Sequence, residues 1–272
     1  MLRVVVSGAA GRMGRMVVSA VCRAEDLELV GAVDRQQVGV DAGTLAGLDP
    51  VGVPLGSDLD GVLEWARPDV MVDFTNPSAV AANLHTAIRH LVCPVVGTTG
   101  LSESDMEEIK RRCAENRLGC VVAPNFALGA VLMMRLAAIC APHMPQVEII
   151  ELHHDQKVDA PSGTAVKTAE ALKDARARAG LGPVDGQEIL PGARGAAYDG
   201  GIRIHSVRLP GLMAHQEVIF GGLGQTLTIR HDSISRESFI PGILLAVRKV
   251  TALTGVIYGL ENLLFDTEQN MV

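Results

Sequence analysis

Residues 2–6 form an apolar, β-branched run broken only by Arg3, a glycine-rich segment begins at Gly8, and a helical pattern runs from Arg12 to about residue 24. This strand, turn and helix constrain the fold more than anything else in the chain, because a strand buried on both faces reads as near-continuous apolar sequence and belongs in a parallel sheet. The unit recurs. Strand-like runs at 27–33, 69–74, 92–96 and 119–123 alternate with helical patterns at 77–91, which has Pro77 in its first turn, and at 102–116, which opens on Ser102 and acidic residues. Such alternation predicts an α/β domain with a Rossmann-like open parallel sheet, covered by helices on both faces.

After Asn125 the pattern changes. A long apolar helix is expected over 128–141, stopped by Pro142, then a strand over 147–152, a helix over 163–179 and a glycine- and proline-rich stretch over 181–201. Strands at 202–209, 216–220 and 226–231 follow at short spacing, which suggests an α+β second domain with a mixed open sheet. The last strong helical pattern, 239–253 with Pro241 near its start, fits either domain.

Composition narrows the function classes. The chain's 272 residues suffice for about two domains and a substantial core. Its five cysteines (Cys22, Cys93, Cys113, Cys120, Cys140) are odd in number and lack C-x-x-C spacing, so neither a disulfide framework nor a metal site is expected, and a reducing cytoplasmic setting fits best. A net charge of −7 gives no footprint for nucleic acid or an anionic membrane. With no basic leader and no apolar stretch of about 18 residues, neither secretion nor membrane insertion is expected. Small molecules remain as partners.

Gly8, Gly11 and Gly14 form a G-x-x-G-x-x-G run between the first strand and the first helix. There the backbone can approach a pyrophosphate while the helix start supplies oriented N–H groups, although the same turn can serve tight packing alone. Asp34 ends the second strand twenty positions after Gly14, where a carboxylate accepts hydrogen bonds from ribose hydroxyls, and this favours NADH. Arg35 suits the 2′-phosphate of NADPH, so use of both cofactors is expected. Gly97-Thr98-Thr99-Gly100 and Ala123-Pro124-Asn125-Phe126 follow later strands and should lie at the same carboxyl edge of the sheet.

The densest chemistry is E-L-H-H-D-Q-K-V-D-A-P-S-G-T-A over 151–165, at a strand end and a helix start. Adjacent strand side chains point to opposite faces, so His153 and His154 should have different roles rather than share a metal. Ser162, Gly163 and Thr164 open the helix, where hydroxyls and free N–H groups suit a carboxylate, although Ser162 could equally be an ordinary N-cap.

The segment H-H-x-x-K-x-D-A-P-S-G-T-A resembles the signature of the 4-hydroxy-tetrahydrodipicolinate reductase family, formerly called dihydrodipicolinate reductase. G-A-A-G-R-M-G over 8–14, Asp73-Phe74-Thr75, Gly97 to Gly100 and Asn125-Phe126 recur in family order, so the resemblance covers nearly the whole chain. Residues 209–218 match less closely.

The resemblance implies that Gly8, Ala9, Ala10, Gly11, Arg12, Met13, Asp34, Arg35, Gly97, Thr98, Thr99, Ala123, Pro124, Asn125 and Phe126 contact NADH or NADPH. It implies that His153 and Lys157 are catalytic, and that His154, Gly163 and Thr164 hold the carboxylates of a cyclic dicarboxylate. It further implies a dinucleotide-binding domain of 1–126 and 239–272, a substrate-binding and oligomerisation domain of 127–238, a homotetramer built through the second sheet, and a place in diaminopimelate and lysine biosynthesis. The rivals are another two-domain NAD(P)H enzyme, such as an amino-acid dehydrogenase, and a nucleotide-sensing protein without turnover. The H-H-x-x-K run before Ser162 speaks against both.

Overall fold

The computed structural model describes residues 1–144, 146–178 and 187–265. The chain divides into two compact units, Met1–Phe126 with Phe239–Val272, and Ala127–Ser238.

The first unit begins with β1 (Leu2–Ser7), α1 (Arg12–Arg23), β2 (Leu27–Val33), a short α2 (Ala42–Leu45), β3 (Leu55–Gly56) and α3 (Leu59–Ala66). It continues with β4 (Val70–Asp73), α4 (Val80–Arg89), β5 (Cys93–Val96), α5 (Glu103–Glu115) and β6 (Gly119–Val122). The second unit holds α6 (Leu128–Cys140), β7 (Gln146–His153), α7 (Gly163–Arg178), β8 (Ala196–Tyr198), β9 (Ile202–Arg208), β10 (Ala214–Gly222) and β11 (Gln225–Ser233). The chain then returns to the first unit with α8 (Ile240–Val250), β12 (Gly255–Tyr258) and α9 (Leu260–Leu264).

All strands of the first sheet are parallel, in the order β12-β6-β5-β4-β1-β2-β3. The chain steps one way from β1 to β3 and then restarts at β4 on the other side of β1, so the order reverses between β1 and β4. Open α/β sheets bind ligands beside that reversal, at the carboxyl ends of the strands. Val4, Val5 and Val6 are fully buried, as a strand covered on both faces requires.

The expected elements are present, with shifts at their ends. Residues 77–79 form a turn rather than the first turn of a helix, because the Asn76 side chain accepts from the Ser78 amide (3.1 Å) and hydroxyl (2.6 Å) and holds the chain back until Val80. Ser102 and Asp105 make a reciprocal capping box on α5. The sequence reading passed over α2, β3, α3, β8, β12 and α9. The strands among these span only 2–4 residues, and β12 starts at Gly255 with φ +85°. The expected helix end at 179 and the part of the glycine-rich stretch at 181–186 lie outside the described residues.

The second sheet runs β11-β10-β7-β9-β8. It is mixed: β7 and β9 are parallel, and every other pair is antiparallel. One face carries Val147, Ile149, Ile202, Ile204, Val218 and Phe220 into a core shared with α6 and α7. Glu151 and His153 follow Val147 and Ile149 on that face by the two-residue period of the strand.

Candidate functional site

Two groups of predicted residues come together, one in each unit. In the first unit, Gly8 adopts φ +83°, open to glycine at little cost, and its N–H and that of Ala9 donate to Val33 O at 2.9 and 3.1 Å. A Cβ on Gly14 would lie 2.0 Å from Gly8 O, so the third glycine is required for α1 to start against the turn. Gly11 is the N-cap of α1, without a side-chain cap, and the first helical residue is Arg12 rather than an acid. The helix start is thus positive, and no acidic residue lies in its own first turn.

Asp34 closes this loop from the end of β2: its Oδ2 accepts from Ala10 N (3.0 Å) and its Oδ1 from Gln36 N (2.9 Å). A cavity of about 440 Å³ opens here, lined by Gly8, Gly11, Asp34, Arg35, Thr75 and Asn76 among others. Uncapped helix amides, a fixed carboxylate and a flanking guanidinium fit the pyrophosphate and adenosine ribose of a dinucleotide. Asn76, Ser57 and Asn83 also line the cavity and carried no motif in the sequence.

The loops after β4 and β5 are tied together by Asp73, which is fully buried. It accepts from Thr75 N (3.1 Å), Thr75 Oγ1 (2.8 Å), Thr98 Oγ1 (2.7 Å) and Asn83 Nδ2 (2.7 Å). The Thr98 hydroxyl, expected at the cofactor, is therefore spent inward, and it also accepts from Thr75 N at 2.8 Å. Ala123 and Phe126 are buried too, with the Phe126 ring 6.0 Å from that of Phe74, so what they can offer a ligand is backbone. Gly97 packs on the Phe74 ring, where a Cβ would come within 2.0 Å.

In the second unit, Glu151 is fully buried and His153 follows it on the same face of β7. Glu151 Oε2 accepts from His153 Nδ1 at 2.5 Å and from Arg208 Nη1 at 2.9 Å, while Oε1 accepts from Arg208 Nη2 (2.8 Å) and Ser162 N (3.2 Å). Burial alone would raise the pKa of Glu151. Hydrogen bonds from His153, Arg208 and Ser206 outweigh it and hold the carboxyl at about 2, so it is ionised at neutral pH.

Lys157 reaches Asp159 through both carboxylate oxygens, at 2.8 and 2.7 Å. Ser162 is the N-cap of α7: its Oγ accepts from Ala165 N at 3.2 Å and it is buried, so its hydroxyl is engaged within the helix start. Gly163 is exposed there, with open space where a Cβ would stand. His154 is half-buried just past the strand end. Glu151 and Arg208 were missed by the sequence reading. Glu151 was open to detection as the residue two before His153 on one strand face, whereas Arg208 joins through the β7–β9 register, where it lies opposite His153. Among the described residues no group of three or more His, Cys, Asp or Glu is arranged to hold a metal ion.

The family model for dihydrodipicolinate reductase, N-terminus, matches residues 2–126, and that for dihydrodipicolinate reductase, C-terminus, matches 129–264. The chain belongs to the dihydrodipicolinate reductase family. A 4-hydroxy-tetrahydrodipicolinate reductase of Moorella thermoacetica is 58% identical over 263 residues, covering 97% of this chain and 98% of that protein. Among solved structures, a dipicolinate-bound dihydrodipicolinate reductase from Paenisporosarcina sp. TG-14 matches with a TM-score of 0.85 at 45% identity, over 96% of this chain and 99% of that one. An amine dehydrogenase from Mycobacterium smegmatis, at 16% identity and a TM-score of 0.62 over 94% of each chain, shares the fold alone.

Proposed function

We propose that this member of the family catalyses NAD(P)H-dependent reduction of 4-hydroxy-tetrahydrodipicolinate to tetrahydrodipicolinate with loss of water, a step of diaminopimelate and lysine biosynthesis. The observation that carries the reading is the meeting of the His153–Glu151 pair, the Lys157 loop and the start of α7 at one end of β7, in a chain whose relatives bear that name across nearly their whole length.

Residues 8–13, Asp34, Arg35, 97–99 and 123–126 hold the dinucleotide, with Asp34 on the ribose and Arg35 available for a 2′-phosphate. Bound reduced nicotinamide supplies the hydride. Thr164 and the amides at Gly163 and Thr164, with His154, hold the substrate carboxylates at a helix start that favours anions. His153 has Nδ1 engaged by Glu151, which leaves Nε2 to exchange a proton with the substrate. Lys157 offsets negative charge developing on the substrate or donates a proton, exchanging its ion pair with Asp159 for one with the substrate.

The test is a coupled assay in which the synthase product is made in place and loss of reduced-cofactor absorbance is followed with NADH and with NADPH. Turnover that requires both the synthase product and a reduced cofactor is expected. No turnover with either cofactor would overturn the reading.

A homotetramer built through the second sheet is part of the same proposal. The face of that sheet away from α6 and α7 carries Glu148, Ile150, Arg203, His205, Glu217 and Ile219, all half-buried, and β11 is an edge strand open to pairing. Light scattering at micromolar concentration should give four times the chain mass, and a monomeric mass would count against it. A cytoplasmic setting accords with five free thiols. Among the described residues no helix is long and apolar enough to cross a membrane.

A further inference from the structure

We propose that the buried Glu151–Arg208 pair is the positioning device of this site: it selects the nitrogen His153 presents, and it ties the Lys157 loop and the start of α7 to the same carboxylate. The inference rests on the assignment of His153 and Lys157 as reacting groups and adds residues that act through them.

The geometry singles out Glu151. Its two oxygens take hydrogen bonds from His153 on β7, twice from Arg208 and once from the Ser206 side chain on β9, and from the Ser162 amide that opens α7. Arg208 also donates to the loop between β7 and α7, Nε to Lys157 O at 3.3 Å and Nη2 to Asp159 O at 2.7 Å, while Nη1 also donates to Val207 O on its own strand at 2.8 Å. One ion pair therefore contacts the imidazole, the backbone of the lysine loop and the helix start that is the proposed carboxylate pocket.

An ion pair at this depth has no clear advantage in stability over well-packed apolar residues, because desolvation offsets the attraction. Its use is geometric. An ionised carboxylate can only accept, so His153 must carry its proton on Nδ1 and turn Nε2 outward. The low pKa of Glu151 supports this, since the carboxylate stays charged throughout the range in which an imidazole titrates. His153 is faced by Glu151 on its own strand, Arg208 from β9 and Ala214 as its neighbour on β10, and the loop that follows carries the exposed Asp155 and the Lys157–Asp159 pair.

Glu151→Gln keeps the shape but offers His153 an amide that can donate, which permits the opposite tautomer. Loss of the corresponding carboxylate from a serine-protease triad costs about 10⁴-fold for this reason. We expect kcat to fall by about 10²-fold or more, with NADH affinity unchanged and the substrate KM moving far less than kcat. The decisive comparison is made in the His153→Ala background, where the same substitution should cost little more because its route to the substrate is gone.

A purely structural role would give losses that multiply, and that result would overturn the inference, as would near-normal kcat in Glu151→Gln while His153→Ala is slow. Near-normal kcat in His153→Ala would instead sink the underlying assignment. A measurement on the unaltered chain keeps the test open if Glu151→Gln fails to fold. Nitrogen-15 NMR of labelled histidine, assigned by the signal missing in His153→Ala, should show neutral His153 protonated on Nδ1, and protonation on Nε2 would refute the proposal.

Discussion

At the carboxyl edge of the parallel sheet the surface offered to a ligand is largely backbone, shaped by Gly8, Gly11 and Gly14 and fastened by Asp34. At the end of β7 it is side chains, and their geometry is set by a carboxylate and a guanidinium that come from strands 57 residues apart in sequence. The difference separates two ways of making a site. A backbone site depends on glycines that permit close approach, so a short local pattern describes it almost completely. A side-chain site depends on partners brought together by strand register, so its local pattern gives the reacting groups and omits what orients them. The first suits a group common to many enzymes, and the second suits one substrate.

The sharpest way to break this contrast is to remove reacting groups and ask which site notices. His153→Ala and Lys157→Ala should each lower kcat by roughly 10²- to 10⁴-fold, the usual cost of losing a positioned acid or base, while NADH affinity stays within about twofold. Steady-state kinetics at saturating substrate, with calorimetric titration of NADH, reads both. Near-normal kcat in both variants would show that the end of β7 is not where the chemistry occurs.

What was legible in the sequence follows the same division. The strand, glycine turn and helix at the start of the chain are local, and the parallel sheet, Asp34 and the turn followed from spacing and period alone. His153, Lys157 and the start of α7 were visible as one dense segment. Arg208 was not, because its partnership with Glu151 is created by the parallel pairing of β7 with β9 across an intervening helix. Thr98 and Phe126 were assigned to the cofactor by resemblance, and the structure spends the Thr98 hydroxyl on Asp73 and the Phe126 ring on Phe74. A motif records that a residue is needed without recording whether its side chain faces the ligand or the core. The short strands β3 and β12 were invisible for another reason: two to four residues carry too few positions to show a period.

Acid stability sharpens the contrast from the other side. Glu151 has a folded pKa of about 2 against an ordinary 4.5, a depressed value, so its contribution is fully present above about pH 4.5 and is lost as pH falls towards 2. A depression of that size corresponds to about 3 kcal/mol. Urea unfolding followed between pH 2 and 6 should show the unaltered chain losing stability over this window, with a shallower slope in Glu151→Gln. Parallel slopes would mean that the ion pair contributes nothing to folding that water does not supply equally to the unfolded chain.

The smallest expected effect probes the side chain that fastens the backbone site. Asp34 does two things: it ties Ala10 N and Gln36 N into the cavity wall, and it stands where the adenosine ribose hydroxyls would donate. Asp34→Ala loosens the wall for either cofactor, but only NADH presents a free 2′-hydroxyl to the carboxylate. For NADPH the loss of a negative charge near the 2′-phosphate and the retained Arg35 offset the loosening. A hydrogen bond to a charged group is worth about 1.5–3 kcal/mol, so NADH affinity should fall by at least about tenfold and the ratio of NADH to NADPH affinity should fall with it. Calorimetric titration of both cofactors reads the ratio directly. Equal losses would reduce Asp34 to a structural tie and leave Arg35 as the side chain that tells the two cofactors apart.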